Sequence, residues 1–82
     1  MESKYLVFRL IGRTEEKTEV WCVDPKRGSP PLGQIKWYSA WKQYCFFPAR
    51  QTVFNIDCMM DISGKIKELM ARKKMGSRIK EE

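Results

Sequence analysis

The 82-residue sequence contains no histidine, and its three cysteines form no C-x-x-C pair. Histidine is the commonest metal ligand and the commonest general base near neutral pH, so its absence argues against both kinds of site. An odd number of cysteines without paired spacing also disfavours a disulfide framework and a zinc site. We therefore expect no enzymatic activity, no metal and no cofactor, and we interpret Cys22, Cys45 and Cys58 as buried thiols.

Long apolar runs are also missing, because no stretch approaches the roughly 20 residues that span a bilayer. The N-terminal segment MESKYLVFRL carries Glu2 and interrupts its apolar residues with Arg9, which is not typical of a secretory signal. The nucleotide and metalloprotease patterns GxGxxG, GxxxxGK[ST] and HExxH do not occur. We expect a cytoplasmic protein with no membrane partner.

The composition is that of a small basic globular protein, with 43% hydrophobic and 32% charged residues and a net charge of +6. So short a chain holds one core, in which large side chains supply most of the buried surface. We assign residues 1–75 to a single α+β domain. Residues 76–82, at the end of the basic segment ARKKMGSRIKEE, are predicted to be a flexible charged tail.

Alternating apolar residues and β-branched or aromatic content predict four strands, at residues 4–11, 18–24, 32–38 and 41–47. Asn55 is a good helix N-cap, and Phe54 with Met59 has the spacing of a hydrophobic staple. A helix over about residues 56–74 follows. Its predicted core arc consists of Cys58, Met59, Ile62, Ile66, Leu69 and Met70.

The third and fourth strands are predicted to form a hairpin around Ser39 and Ala40, although neither residue favours a tight turn. A two-residue loop pairs Tyr38 with Trp41, and a longer loop is an alternative. Because paired residues share a face, one face carries Ile35, Trp37, Tyr44 and Phe46, and the other carries Gln34, Lys36, Tyr38, Trp41 and Gln43. The expected fold is a four-stranded, mainly antiparallel β-meander with one C-terminal amphipathic helix packed on one face.

The face that the helix leaves uncovered is the candidate binding surface. Three interpretations of its aromatic residues stay open. In the first, the aromatic residues stabilise the hairpin end as a cross-strand pair. In the second, they bind a protein, since Trp and Tyr are favoured at protein interfaces. In the third, they stack on nucleic-acid bases. The candidate partner-binding residues are Lys36, Tyr38, Trp41, Lys42, Gln43 and Arg50.

A second candidate interface lies on the outward side of the helix, at Met60, Gly64, Lys67 and Ala71. A glycine at an exposed helical position costs about 1 kcal/mol relative to alanine, so Gly64 indicates either a close approach by another molecule or a tolerated local bend. A second copy of the chain is one candidate for that approach, which makes a homodimer an alternative assembly.

Residues 32–62 contain the pattern LGxIxWYxxWxQYxFxP, followed by TVFxxxC and by DI within the helix. This pattern resembles short, mostly uncharacterised proteins of phages, prophages and other bacterial mobile elements. The resemblance covers under half of the chain and carries over no functional residue. It implies a setting in which small proteins bind and block host machinery, as anti-CRISPR and other anti-defence proteins do, or assist with nucleic acids.

Two functional hypotheses follow from the sequence. The first is a non-catalytic accessory protein of a phage or mobile element that binds and modulates or inhibits a host protein or nucleoprotein. The alternative is a protein that binds DNA or RNA directly, through the aromatic and basic sheet face and the basic tail. Salt dependence separates the two, because phosphate contacts weaken steeply as salt rises.

Overall fold

The structure, a computed structural model, describes residues 5–14, 17–28 and 30–81, with side chains described up to residue 73. These residues form four strands and one helix: β1 (Leu6–Arg13), β2 (Glu19–Pro25), β3 (Gly33–Tyr38), β4 (Gln43–Pro48) and α1 (Ile56–Glu81). The strands make an antiparallel sheet in the order β1-β2-β3-β4, and α1 packs across one face of it. The predicted α+β class is confirmed.

The core lies between α1 and one sheet face. Leu6 of β1, Val23 of β2 and Ile35 of β3 are buried side by side beneath Ile62 and Leu69 of the helix. Burying each such side chain contributes roughly 1.5–3 kcal/mol. Phe8, Trp21, Trp37 and Phe46 pack around this cluster from the same sheet face.

The β3–β4 hairpin has a four-residue loop, residues 39–42, instead of the expected two-residue loop. Tyr38 therefore lies opposite Gln43, and Ile35 lies opposite Phe46. The predicted pairing was wrong by two residues, but a shift of two leaves every side chain on its predicted face. The longer loop needs a left-handed conformation at Lys42, with φ of 53°. The Lys42 amide donates a hydrogen bond to the Ser39 carbonyl oxygen.

Polar contacts fix the position of the helix over β2. Lys65 places its amino group 3.6 Å from the centroid of the Trp21 ring, and Arg72 lies 3.6 Å from a carboxylate oxygen of Glu19. The Trp21 indole donates a hydrogen bond of 2.8 Å to the same carboxylate. β2 therefore turns Trp21 toward the helix. The sequence had not decided which face of this strand points inward.

The helix begins as its cap predicts. The Asn55 side-chain oxygen accepts a hydrogen bond of 2.8 Å from the Cys58 amide. Met59, which we expected in the core, is instead 52% exposed, because the helix faces the sheet along the line of Cys58, Ile62 and Leu69.

The helix extends to Glu81, beyond the expected end at about residue 74. Gly76 lies inside it, since one glycine costs about 1 kcal/mol and need not end a helix. The predicted charged tail, residues 76–82, lies outside the described side chains and stays a prediction.

Candidate binding surface

The sheet face opposite α1, here called the outer face, carries the aromatic residues that do not enter the core. We define the hairpin patch as Lys36, Tyr38, Trp41, Gln43 and Phe47. Lys36, Tyr38, Gln43 and Phe47 are outer-face residues of β3 and β4, and Trp41 extends this face from the hairpin loop. Strand parity therefore brings three of the six sequence-predicted site residues together on one surface, and the hairpin loop adds Trp41.

Trp41 stands on Tyr38 at the loop end of the hairpin patch. The two ring centroids are 5.1 Å apart and the ring planes are nearly perpendicular, at 85°. This edge-to-face arrangement is one that aromatic pairs prefer, and it stabilises the hairpin end. Trp41 nevertheless keeps 66% of its surface exposed, and Tyr38 keeps 38%. The pair is thus both a local structural contact and an exposed aromatic surface.

Phe47 joins the hairpin patch although the sequence-based site did not include it. Its ring centroid lies 6.0 Å from that of Tyr38, and the Lys36 amino group lies 4.7 Å from its ring centroid. Phe47 has the same strand parity as Gln43, so alternation along β4 was the signal that would have identified it. The Lys36–Phe47 contact keeps a cation beside the aromatic rings.

The two remaining candidate residues occupy different places. Lys42 is exposed in the hairpin loop, next to Trp41 in the chain. Arg50 is exposed beyond the other end of β4, where the amide of the preceding Ala49 bonds to the carbonyl of Leu32. The six residues of β4 separate Arg50 from the loop by roughly 20 Å of extended chain. The structure therefore places Lys42 at the hairpin patch and Arg50 at a distant rim.

Beside the hairpin patch, β1 and β2 contribute an ionic cluster to the outer face. The Arg9 guanidinium lies 2.9 Å from the Asp24 carboxylate, and its hydrogen bond holds the pKa of Asp24 below the ordinary value. The Cys22 thiol lies between them, 3.2 Å from Asp24, and burial is the main cause that raises its pKa. A thiol with a raised pKa is a poor nucleophile at neutral pH. Arg9 is thus already paired with an acid of the same chain.

The second candidate interface is divided between two surface depressions. Met60, Gly64 and Lys67 line a shallow one on the outward side of α1. Ala71 instead lines a groove between α1 and the β3–β4 hairpin, beside Trp37 and Gln43, and Lys67 borders both depressions. Met60 is 65% exposed, so the outward direction that the helical periodicity predicted agrees with the structure at this residue.

The described part of the chain also bears on metal, cysteine and membrane-spanning sites. No group of three metal-ligating side chains is close enough there to hold an ion. All three cysteines are free, and Cys22 and Cys58 are buried as expected. Cys45 is partly exposed on the outer face, so the expectation of a buried thiol is wrong there. Within the same residues, no helix is both long enough and apolar enough to cross a membrane.

These features define a small α+β protein in which the helix covers one sheet face and no other described element covers the opposite face. The chain is 33% identical over 72 residues to a protein of Acholeplasma phage L2 described as an uncharacterised 9.3 kDa protein. The match spans 88% of this chain and 92% of the phage protein, so the chain belongs to the same family as that protein. No protein-family model and no solved structure matches the chain. The resemblance to phage proteins is thereby confirmed, while the residue pattern at 32–62 stays a prediction.

Proposed function

We propose that this chain is a non-catalytic phage accessory protein that binds and modulates or inhibits a host protein or nucleoprotein, in the manner of anti-CRISPR and other anti-defence proteins. The observation that carries the proposal is the exposed Trp41 ring, held upright by Tyr38 on the outer face. Membership of a family that includes a phage protein supports the phage part of this proposal.

The contrast among the three tryptophans explains why Trp41 matters. Trp21 and Trp37 pack against the core, as expected in a small protein that needs large side chains for its stability. Trp41 lies outside that core. Tryptophan and tyrosine are enriched among the few residues that supply most of the energy of a protein interface. The contact with Tyr38 already restricts the Trp41 ring, which lowers the side-chain entropy that binding would cost.

The charges around the hairpin patch favour an acidic partner surface. Lys36 and Lys42 flank the aromatic residues, while the neighbouring Arg9 is neutralised by Asp24. The chain as a whole carries a net charge of +6, which steers it toward negative surfaces. An acidic face on a host protein therefore suits this patch better than a basic or purely apolar one.

The proposal is tested by capture from host lysate, treated with nuclease, using the whole chain and the variant Trp41→Ala. Removal of a central aromatic residue typically weakens an interface by 2 kcal/mol or more, so we expect at least about a tenfold loss of partner affinity. The matched control is Val53→Ala, which truncates a residue that is 89% exposed outside the hairpin patch. Equal capture by wild type and Trp41→Ala, with the fold intact by circular dichroism, would contradict the proposal.

Direct binding of DNA or RNA is the second candidate, and the Lys36–Phe47–Tyr38 cluster favours it specifically. Bases stack on aromatic rings with about 1–3 kcal/mol each, and lysines add phosphate contacts. If Lys36 and Lys42 each neutralise one phosphate of a duplex, a rise from about 50 to 200 mM salt should lower affinity about tenfold. A protein interface dominated by Trp41 should change much less.

The same titration decides between the two candidates. A salt-dependent shift of DNA or RNA that Trp41→Ala abolishes would favour nucleic-acid binding, and no shift at low salt would exclude it. Truncation after Met75 tests the contribution of residues 76–82, because unchanged nucleic-acid affinity would exclude a role for the tail.

A further inference from the structure

Two adjoining pockets follow the seam between α1 and the β3–β4 hairpin, and together they are here called the helix–hairpin groove. The larger, the Trp37 pocket, has a volume of about 610 Å³ and lies near the hairpin loop. The smaller, the Phe54 pocket, has a volume of about 300 Å³ and lies toward the start of α1. Ile66 lines both pockets, so they meet along the helix. The Phe54 pocket is otherwise lined mainly by Phe46, Pro48, Phe54, Met59 and Ile62.

The walls of the groove are largely apolar and adaptable. The Phe46 and Phe54 rings meet edge to face, with centroids 5.2 Å apart. Met59 is 52% exposed at the Phe54 pocket, and Met70 lines the Trp37 pocket. Methionine side chains adjust to the shape of a bound molecule, and they are common at surfaces that bind apolar partners. An exposed apolar groove of this kind is typical of a binding site.

Two lysines border the Trp37 pocket, and none of the described residues that line either pocket is acidic. The Lys73 amino group lies 4.8 Å from the centroid of the Trp37 ring, and Lys67 is exposed on the helix. The acid that lies between them in the chain, Glu68, is paired with Arg72 at 3.1 Å. The groove therefore combines apolar walls with a positive border at one end, which complements an apolar and acidic partner.

The β4 edge forms one side of the groove and offers little to an extended segment. On β4, the Tyr44 amide turns outward and donates to the Met70 sulfur atom at 3.3 Å. Pro48, two positions after Phe46, has no amide to donate. Of the six residues of β4, this alternation leaves Phe46 with an outward amide. A strand bound here would find one amide donor for its carbonyl groups, whereas an α-helix satisfies its own backbone.

The spacing of the two pockets matches the repeat of an α-helix. Met59, Ser63 and Ile66 line the Phe54 pocket. The residues seven positions later, Ile66, Met70 and Lys73, line the Trp37 pocket. Seven residues of α1 span roughly 10.5 Å. A second helix that lies along α1 presents its side chains at positions i and i+7 on one face with the same separation.

We propose that the helix–hairpin groove binds an acidic amphipathic helix of a partner protein. Two large apolar side chains of that helix, seven positions apart, occupy the two pockets, and its acidic residues lie beside Lys67 and Lys73. A second copy of this chain does not suit these charges, because its net charge of +6 opposes both lysines. The groove is a different surface from the exposed Trp41 ring, and the inference does not depend on what that ring binds.

The first test uses three synthetic peptides of about 20 residues, a length that allows a helix to form. The glutamate peptide carries leucines at positions i and i+7 among alanine and glutamate. The lysine peptide has lysine in place of every glutamate. The shifted peptide has its second leucine at i+5, which lies on a different side of the helix. We expect the lysine and shifted peptides to bind at least about tenfold more weakly than the glutamate peptide.

Nuclear magnetic resonance of the whole chain locates the binding of the glutamate peptide. The methyl signals of Met59 and Met70 and the indole signal of Trp37 should shift, because these residues line the two pockets. The signals of Met60 and Trp41, which lie outside the groove, should stay in place. No shift with about 1 mM glutamate peptide, or shifts centred on Met60 or Trp41, would overturn the proposal.

The second test compares two methionines of neighbouring position and similar exposure. Met59→Ala shortens a side chain of the Phe54 pocket, and we expect it to weaken binding of the glutamate peptide about fivefold. The matched control is Met60→Ala, at a residue that is 65% exposed and does not line the groove. Equal affinities of the two variants, or a larger loss in Met60→Ala, would refute binding in the groove.

The third test reverses the charge at the border of the groove. Lys67→Glu combined with Lys73→Glu should weaken binding of the glutamate peptide about fivefold more than Lys26→Glu combined with Arg27→Glu. The control pair makes the same change of net charge at an exposed turn outside the groove. Equal losses in the two double variants would contradict a contact with the bordering lysines. Trp41→Ala should bind the peptide as wild type does, and a loss there would assign the peptide to the hairpin patch instead.

Discussion

Gly33 begins β3 where the neighbouring strand leaves no room for a side chain. A β-carbon at this position would lie 2.5 Å from the Phe47 carbonyl oxygen and 2.8 Å from two ring carbons of Phe46. Both distances are shorter than the 3.4 Å at which ordinary contact begins. The substitution Gly33→Ala therefore forces β3 and β4 apart at the end of their ladder.

The size of the effect follows from these distances. The added methyl group falls 0.9 Å short of ordinary contact with the Phe47 oxygen, which is backbone and cannot change rotamer. Overpacking of this kind typically costs about 1–3 kcal/mol, and a backbone obstacle places the cost in the upper part of that range. We expect about 2–3 kcal/mol, out of a total stability of about 4–12 kcal/mol for a chain of this length. The melting temperature should fall by about 10–20 °C.

Thermal unfolding followed by circular dichroism measures this effect, and Gly12 supplies the control. Gly12 also lies in a strand, but a β-carbon there meets nothing within 4 Å. Gly12→Ala should leave the melting temperature unchanged or raise it slightly, because alanine reduces the freedom of the unfolded chain. Equal melting temperatures for wild type and Gly33→Ala, or equal losses in the two variants, would refute the close approach between β3 and β4.

Three further substitutions test other parts of the molecule. Because the hydrogen bond from Arg9 lowers the pKa of Asp24, this pair stabilises the fold above pH 3.8, and the stabilisation is lost as the pH falls. Asp24→Asn should therefore lower the urea midpoint most at neutral pH. A difference in urea midpoint between wild type and variant that stays the same below pH 3 would contradict this. Tyr44→Phe removes the hydroxyl that accepts a 3.0 Å hydrogen bond from the Glu19 amide, and should cost about 0.5–1.5 kcal/mol of unfolding free energy. Gly64→Ala should stabilise the free protein by up to about 1 kcal/mol in urea titrations, and unchanged partner affinity in this variant would exclude the helix surface as an interface.

The hairpin shows how far local sequence patterns predicted this fold. Alternation assigned Ile35 and Tyr44 to the core and Tyr38 to the outer face, because parity depends only on counting along each strand. The loop length was not predictable from Ser39 and Ala40, since neither has the left-handed preference that a two-residue turn requires. The structure places the left-handed residue at Lys42 instead.

Long-range contacts decided what the patterns could not. Each face of β2 combines apolar residues with one acid in sequence, and the inward face is fixed by the contact of Lys65 with Trp21 and of Arg72 with Glu19. Phe47 was omitted from the predicted site because its contact with Tyr38 depends on strand pairing and twist, although its parity was available. The position of Arg50 depended likewise on the length of β4.

The protected β4 edge of the sheet also limits how copies of this chain can assemble. A sheet with two open edges can add further chains indefinitely and form ribbons or fibrils. On β4 the Tyr44 amide donates to the Met70 sulfur atom at 3.3 Å and Pro48 has no amide, so only Phe46 among the six residues of this strand keeps an outward amide for a new strand. A sheet protected in this way does not readily extend through β4 into a ribbon of many chains, so the protein could reach high concentration without polymerising through that edge.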